Sequence, residues 1–292
     1  MEIRVLRYFL AVCDAGTMLR AAENLHVTQP TLSRQIADLE RELGCQLLER
    51  GPRHVTLTEQ GHYLRRRASE IVELADRAET DLRLSGEVVE GDVSIGAGES
   101  EGVRLLAERI RTFREQYPQV RFHLHSGNAV DVSERLERGL IDFAMFMGYP
   151  DIARYEHIRL TPTDAWTLLM PQDAPLASKE TIGPDDLIDL PLIVPERALE
   201  RAALLNWLGD DVSQLDVVTT FNLLYNAEML ALEGVGYVLT LDKIAHTGPG
   251  SGLVSRLLYP PVVSPIDIAW KQGQTFTTAS AKFLECLRAL EG

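Results

Sequence analysis

The segment AAENLHVTQPTLSRQIADLERELG, Ala21 to Gly44, leaves the chain little choice locally. Its spacing predicts a short helix over 19–25, with Thr17 placed to accept a hydrogen bond from a free backbone N–H at its start. His26 and Val27 then supply a tight turn. Thr28 can cap a second helix beginning at Gln29, where Pro30 falls in the first turn and its missing N–H has no intrahelical partner to lose. At 100° per residue Leu32, Ile36, Leu39 and Leu43 form one apolar stripe, while Gln29, Pro30, Ser33, Arg34 and Ala37 project from the remaining surface.

That polar surface suits the edges of base pairs. Gln29 can pair bidentately with adenine and Arg34 with guanine or a phosphate; Ser33 suits either, and Pro30 and Ala37 are small enough for close approach to the major groove. Upstream, Ile3, Leu6, Leu10 and Cys13 recur at helical spacing and predict a first helix ending near Gly16. Downstream, Leu47 and Leu48 lead into Glu49-Arg50-Gly51-Pro52-Arg53-His54, after which Val55 and Leu57 alternate as in a strand. This reads as a β-wing with Arg50, Arg53 and His54 at its tip, where a cation meets a phosphate or the minor groove. Thr28, Gln29, Pro30, Thr31, Ser33, Arg34, Arg50 and Arg53 are the candidate DNA-contacting residues. The alternative is a polar-surfaced helix in an ordinary bundle; the cap, the turn and the small residues together favour a helix-turn-helix.

Residues 1 to about 60 resemble the winged helix-turn-helix of LysR-type transcriptional regulators, and the length and layout of the remainder resemble that family too. The resemblance implies that Gln29, Pro30, Ser33 and Arg34 face the operator and that Arg50 and Arg53 touch its backbone. The chain departs from the family pattern at Thr31, where a smaller residue is usual, and at Cys45-Gln46-Leu47-Leu48, where an aromatic often precedes Glu-Arg.

A length of 292 residues predicts two domains, and 45% apolar residues suffice for a core in each. The formal charge of −14 argues against a protein that coats nucleic acid. The first 60 residues hold seven arginines against eight acidic residues, so nearly all the acidity lies beyond them. DNA contact then depends on a few placed arginines. Cys13, Cys45 and Cys286 are far apart without metal-ligand spacing, and neither an export signal nor a long apolar run is evident, so a cytoplasmic protein is expected. Cys13 and Cys286 read as small buried hydrophobes rather than sensors.

From Glu59 to about Leu84 a long helix carries Leu64, Ala68, Ile71, Ala75, Ala78 and Leu82 at steps of four and three, the seam of a two-stranded coil. Pairing would set two recognition helices about one DNA turn or a multiple apart, so the operator should be an interrupted palindrome. Ser85-Gly86-Glu87 and Glu90-Gly91-Asp92 form a hinge. Beyond it, strands are predicted at Val93–Ala97, Val120–His125, Phe143–Met147, Trp166–Met170, Leu192–Val194, Leu215–Thr220, Tyr237–Leu241 and Pro265–Lys271. Helical stretches lie between them and a last helix runs over Thr278–Leu290.

The expected fold class is therefore an α/β C-terminal domain preceded by a winged helix-turn-helix and a long linker helix. The domains are 1–58, 59–90 and 91–292. The same family resemblance implies a two-lobed, periplasmic-binding-protein-like effector domain, with lobe I at about 91–161 and 265–292 and lobe II at about 162–264. Ligands in open α/β sheets sit beyond the carboxyl ends of strands, which selects Ser100, Asn128, Met147, Glu196, Phe221 and Asn222 as effector contacts. Ser100 opens a helix whose free N–H groups favour an anion, yet Glu99 and Glu101 flank it, so the effector's charge stays open.

Two further readings of this region compete. Gly98-Glu99-Ser100-Glu101-Gly102 matches the G-x-S-x-G nucleophile elbow, with Asp242 and His246 in the right chain order. A hydrolase of that kind needs a strand and an oxyanion loop upstream of the serine, and here everything upstream is winged helix, coil and hinge. A plain solute-binding protein would have no use for the first 90 residues. His123 and His125 share a strand face that can ligate a metal, although such pairs are more often strand surface. The expected partners are double-stranded DNA, a small-molecule effector of unknown identity, further copies of the chain and RNA polymerase. No cofactor, metal, catalytic residue or membrane is expected.

Overall fold

The computed structural model describes residues 1–51, 54–83, 89–200, 202–209 and 214–289, and the chain divides into two compact units, Met1–Ser85 and Gly86–Gly292. In the first unit α1 (Ile3–Ala15), α2 (Met18–Asn24) and α3 (Gln29–Leu43) precede the hairpin β1 (Leu48–Arg50) and β2 (Val55–Leu57) and the long α4 (Glu59–Arg83). Thr17 caps α2 by accepting from the Arg20 N–H, and Thr28 caps α3 by accepting from Thr31. Gly16 and Gly44 end α1 and α3 at φ of 68° and 67°, the left-handed conformation that glycine adopts without a Cβ penalty.

The core of this unit joins Leu6, Phe9 and Val12 to Ala21, Ala22, Leu32, Ile36, Leu39, Leu47 and Leu48. The buried stripe of α1 is thus Val5, Leu6, Phe9 and Val12, rotated from the predicted one; Ile3 is exposed and Leu10 and Cys13 are only part-buried, because the larger Phe9 takes the inward position. Leu43, the last residue of α3, is exposed as well.

The seam read along α4 needs correcting. Leu64 and Ala68 are buried in their own unit's core, where α4 packs along α1. Arg7 with Asp76 and Arg65 with Asp14, 2.9 Å, reinforce that packing. Farther along, Ile71 is 38% and Leu74 47% exposed, and Ala78 is exposed too. The side chain of Leu82 and the hinge residues 85–87 lie outside the described residues.

Burial pushes the Cys13 thiol up to about 11 and raises that of Cys286. Little thiolate forms near neutrality. Alkylation of the native protein by iodoacetamide near neutral pH is expected to spare Cys13, with modification appearing only after denaturation. Peptide mapping that finds native Cys13 labelled at the denatured rate contradicts this.

The second unit comprises β3 (Gly91–Ala97), α5 (Val103–Gln116), β4 (Val120–Ser126), α6 (Ala129–Glu137), β5 (Phe143–Met147), β6 (Tyr155–Pro171), β7 (Thr181–Ile182), β8 (Pro191–Pro195), α7 (Ala202–Leu208), β9 (Asp216–Phe221), α8 (Leu224–Leu232), β10 (Tyr237–Leu241), β11 (Leu253–Leu258), β12 (Val263–Lys271) and α9 (Thr278–Arg288). Strand order is β4-β3-β5-β12-β6-β10-β8-β9, with β11 pairing β6 and β7. The parallel β4-β3-β5 group and the parallel β10-β8-β9 group each sit over a separate core. Two long antiparallel strands link the groups: β12 pairs β5 of the first, β6 pairs β10 of the second, and the two pair with each other. Their register slips between Pro265 and Asp267, where β6 contributes Leu160-Thr161-Pro162 opposite a single residue, a bulge that accommodates prolines unable to donate to a ladder.

Candidate functional site

On α3 the division between packing and presented surface is sharp. Leu32, Ile36 and Leu39 are buried, whereas Thr28, Gln29, Pro30, Thr31 and Arg34 are exposed. The Thr28 hydroxyl lies 2.8 Å from that of Thr31, so this pair closes the helix start and leaves Gln29 and Arg34 as the long polar arms. Ser33 is half-buried and has an interaction of its own. The hairpin pairs Leu48 with Leu57 and Arg50 with Val55, and the Val55 N–H donates to Gly16 O at 2.9 Å, fixing the wing to the end of α1. Arg53 and the side chain of Arg50 lie outside the described residues.

In the second unit each parallel group has its first strand in the middle: β3 lies between β4 and β5, and β8 between β9 and β10. The strand order therefore reverses beside the middle strand, and successive crossovers lie on opposite faces of the sheet, opening a crevice beyond the strands' carboxyl ends. A cavity of about 160 Å³ lies there. Gly98 and Glu99 follow β3, Met147 and Gly148 close β5, Pro195 and Glu196 close β8, and Phe221 and Asn222 follow β9. Asn128, Met147, Glu196, Phe221 and Asn222 of the sequence-selected set all line it.

Ser100 does not. It is 7% exposed, donates to Asp164 Oδ2 at 2.6 Å and accepts from the Gly102 N–H at 2.8 Å, fastening the start of α5 to β6. A serine so placed has its hydroxyl engaged within the protein, and among the described residues no His partners it as a base. Glu99, one residue earlier, lines the cavity instead. Counting from the last residue of β3 would have picked out Gly98 and Glu99. Sequence reading also missed Tyr149, Asp151, Trp166 and Arg197 in the lining; they sit on loops or within a strand, where no spacing marks them.

Polar contacts cross this cleft. Glu99 Oε2 accepts from the Leu224 N–H at the head of α8, 2.6 Å, where a carboxylate is favoured by the helix dipole. Asn128 caps α6 through Oδ1, accepting from the Asp131 N–H at 2.9 Å, and its Nδ2 donates to Glu196 Oε2 at 3.0 Å. Outside, Glu101 pairs with Arg104 at 2.7 Å, and that hydrogen bond holds its carboxyl below the ordinary range. His123 stands 3.2 Å from Asp92, which also takes Arg121.

Residues 3–62 match the bacterial regulatory helix-turn-helix of the lysR family, and residues 86–291 match the LysR substrate binding domain. The chain is a LysR-type transcriptional regulator. This regulator is similar to the probable RuBisCO transcriptional regulator of Synechocystis sp., 31% identical over 256 residues covering 86% of this chain and 70% of that one. It is also similar to the nitrogen assimilation regulatory protein Nac of Escherichia coli, 32% identical over 270 residues covering 89% and 85%. Among solved structures, CbnR, a LysR family transcriptional regulator, superposes with a TM-score of 0.78 at 25% identity over 100% of both chains. Full-length CbnR complexed with its target DNA gives 0.76 at 25% identity, covering 99% of this chain and 100% of that one. The LysR-type regulator described here binds DNA through its N-terminal unit, carries an effector-binding domain for a small molecule, and is not an enzyme. Among the described residues no helix is long and apolar enough to cross a membrane.

Proposed function

We propose that this regulator works in the cytoplasm as a homo-oligomer on an interrupted palindromic promoter site, with α3 in the major groove and the wing arginines Arg50 and Arg53 on phosphates. Residues 1–58 read DNA and 59–90 pair subunits. Residues 91–292 hold the effector between lobe I (91–161 and 265–292) and lobe II (162–264). The observation that carries this reading is the two-sided α3, with its apolar stripe buried and Gln29 and Arg34 exposed. The similarity to CbnR, solved with its target DNA, supports it. The exposed Ile71 and Leu74 on α4 suit a second subunit, and RNA polymerase is the downstream partner.

Effector control follows if the ligand prefers one arrangement of the lobes, which the paired α4 helices pass to the reading heads as a change in their separation and in the DNA bend. A differential affinity of about 1–3 kcal/mol is enough for such coupling. Gln29→Ala or Arg34→Ala is expected to relax base preference by about 1–3 kcal/mol at the positions contacted. Arg53→Ala should weaken all sequences alike and flatten the salt dependence. Competition binding against operators randomised one position at a time checks both; unchanged base preference in the two α3 variants overturns the groove assignment.

A further inference from the structure

Both helix starts that face the effector cavity are already met by the protein's own oxygens. Glu99 Oε2 accepts the first N–H of α8, and Asn128 Oδ1 accepts from the first turn of α6 while its amide donates to Glu196. Each of these bonds takes one of the about four free N–H groups at its helix start and sets a protein oxygen, that of Glu99 or Asn128, where an anion would otherwise approach. Acceptors remain, because a carboxylate offers about four lone-pair sites and each of these bonds takes one. Glu99, Asp151 and Glu196 together place three carboxylates on the lining against the single guanidinium of Arg197, which has another interaction to serve.

The rest of the wall is apolar and aromatic. Phe146 and Tyr149 stack with centroids 4.4 Å apart and an interplanar angle of 15°; Phe146 is buried beneath, so Tyr149 is the ring of this pair within reach of a cation. The volume of about 160 Å³ is close to that of an engineered apolar cavity, about 150 Å³, that holds one benzene. The acidity beyond residue 60 draws cations toward the site as well.

We propose that the cleft selects a small organic cation, an ammonium group on a flat apolar frame about one aromatic ring in size, held between Glu99 and Glu196. This rests on the reading of the cleft as the effector site. It also settles the ambiguity around Ser100: of the two flanking acids, Glu99 turns inward and Glu101 pairs outward.

The test is calorimetric titration of the full-length protein near neutral pH with three probes of one shape: benzylammonium, benzyl alcohol and benzoate. Benzylammonium is expected to bind most tightly and benzoate least, separated by about tenfold or more, the worth of a charge-assisted hydrogen bond. In Glu99→Gln/Glu196→Gln, which keeps a side-chain oxygen for each cross-cleft bond, benzylammonium should lose about tenfold more affinity than benzyl alcohol. Benzoate binding as well as benzylammonium, no detectable benzylammonium binding, or a preference untouched by the double variant each overturns the proposal. Ala129→Phe, which fills the cavity, separates the two levels. If benzyl alcohol still binds that variant, the cleft itself is the wrong site. If binding is lost there while benzoate wins in the wild type, the cleft stands and the cation falls.

Discussion

Gly61→Ala is expected to cost the DNA-binding unit most of its stability and, with it, operator binding. Gly61 is buried in the first turn of α4, and a Cβ there would stand 2.1 Å from the carbonyl oxygen of Leu47 and 3.0 Å from Leu57 Cδ2. The Leu47 carbonyl cannot retreat freely, because it accepts from the Thr58 N–H at 3.0 Å while the Thr58 hydroxyl accepts from the Gly61 N–H at 3.0 Å and donates to Gln46 O at 2.7 Å. Relief requires shifting α4 away from the wing. Ordinary overpacking costs about 1–3 kcal/mol, and a clash with fixed backbone belongs at or beyond the top of that range. Gly44→Ala is the contrast: its φ of 67° is strained for alanine, but nothing lies within 4 Å of the added carbon, so the loss should be only about 1–2 kcal/mol. Thermal unfolding followed by circular dichroism, with a parallel gel-shift titration, compares the two. Equal losses would mean that α4 yields easily.

Arg159→Met should destabilise the effector unit by about 3 kcal/mol, at the low end for a broken buried pair because the guanidinium is itself half-exposed and water can partly replace it. Asp267 is 1% exposed in the middle of β12 and is held by Arg159 Nε at 2.8 Å and Nη2 at 3.1 Å, a two-pronged bond. That bond also raises the Arg159 pKa above its usual value. Removing the cation strands a carboxylate between strands, whereas Arg159→Met/Asp267→Leu removes both charges and should recover most of the loss. Urea denaturation of the three proteins decides this. A double variant no more stable than Arg159→Met would show that Asp267 stabilises the sheet by some means other than its partner.

The reading head was legible because its signals are local: Thr28-Gln29-Pro30 encodes a cap and a first turn within three residues, and α3 begins there. Strands β5 and β10 kept their predicted bounds because short apolar-rich runs, each followed at once by Gly148 or Asp242, leave little ambiguity. Strand β6 was read only over 166–170 yet starts at Tyr155, since Thr161-Pro162 interrupts the pattern and only the bulge against β12 makes the proline tolerable. The two-residue β7 and the Leu253–Leu258 strand β11 carry no periodicity of their own and form by pairing with each other and with β6. Periodicity along α4 showed that a stripe is covered without showing by what; Leu64 and Ala68 found α1. In the cleft, the rule that ligands sit past strand ends chose five lining residues and missed Glu99 in favour of Ser100, its neighbour, whose hydroxyl is drawn to Asp164.

Because β6 and β12 run unbroken through both lobes, the lobes can neither slide past one another nor part without tearing ladder hydrogen bonds. What remains soft is flexure of a two-ribbon strap at the slip between Pro265 and Asp267. Pairing of this kind leaves an angle between the lobes, rather than a distance, as the quantity that an occupant of the cleft would change.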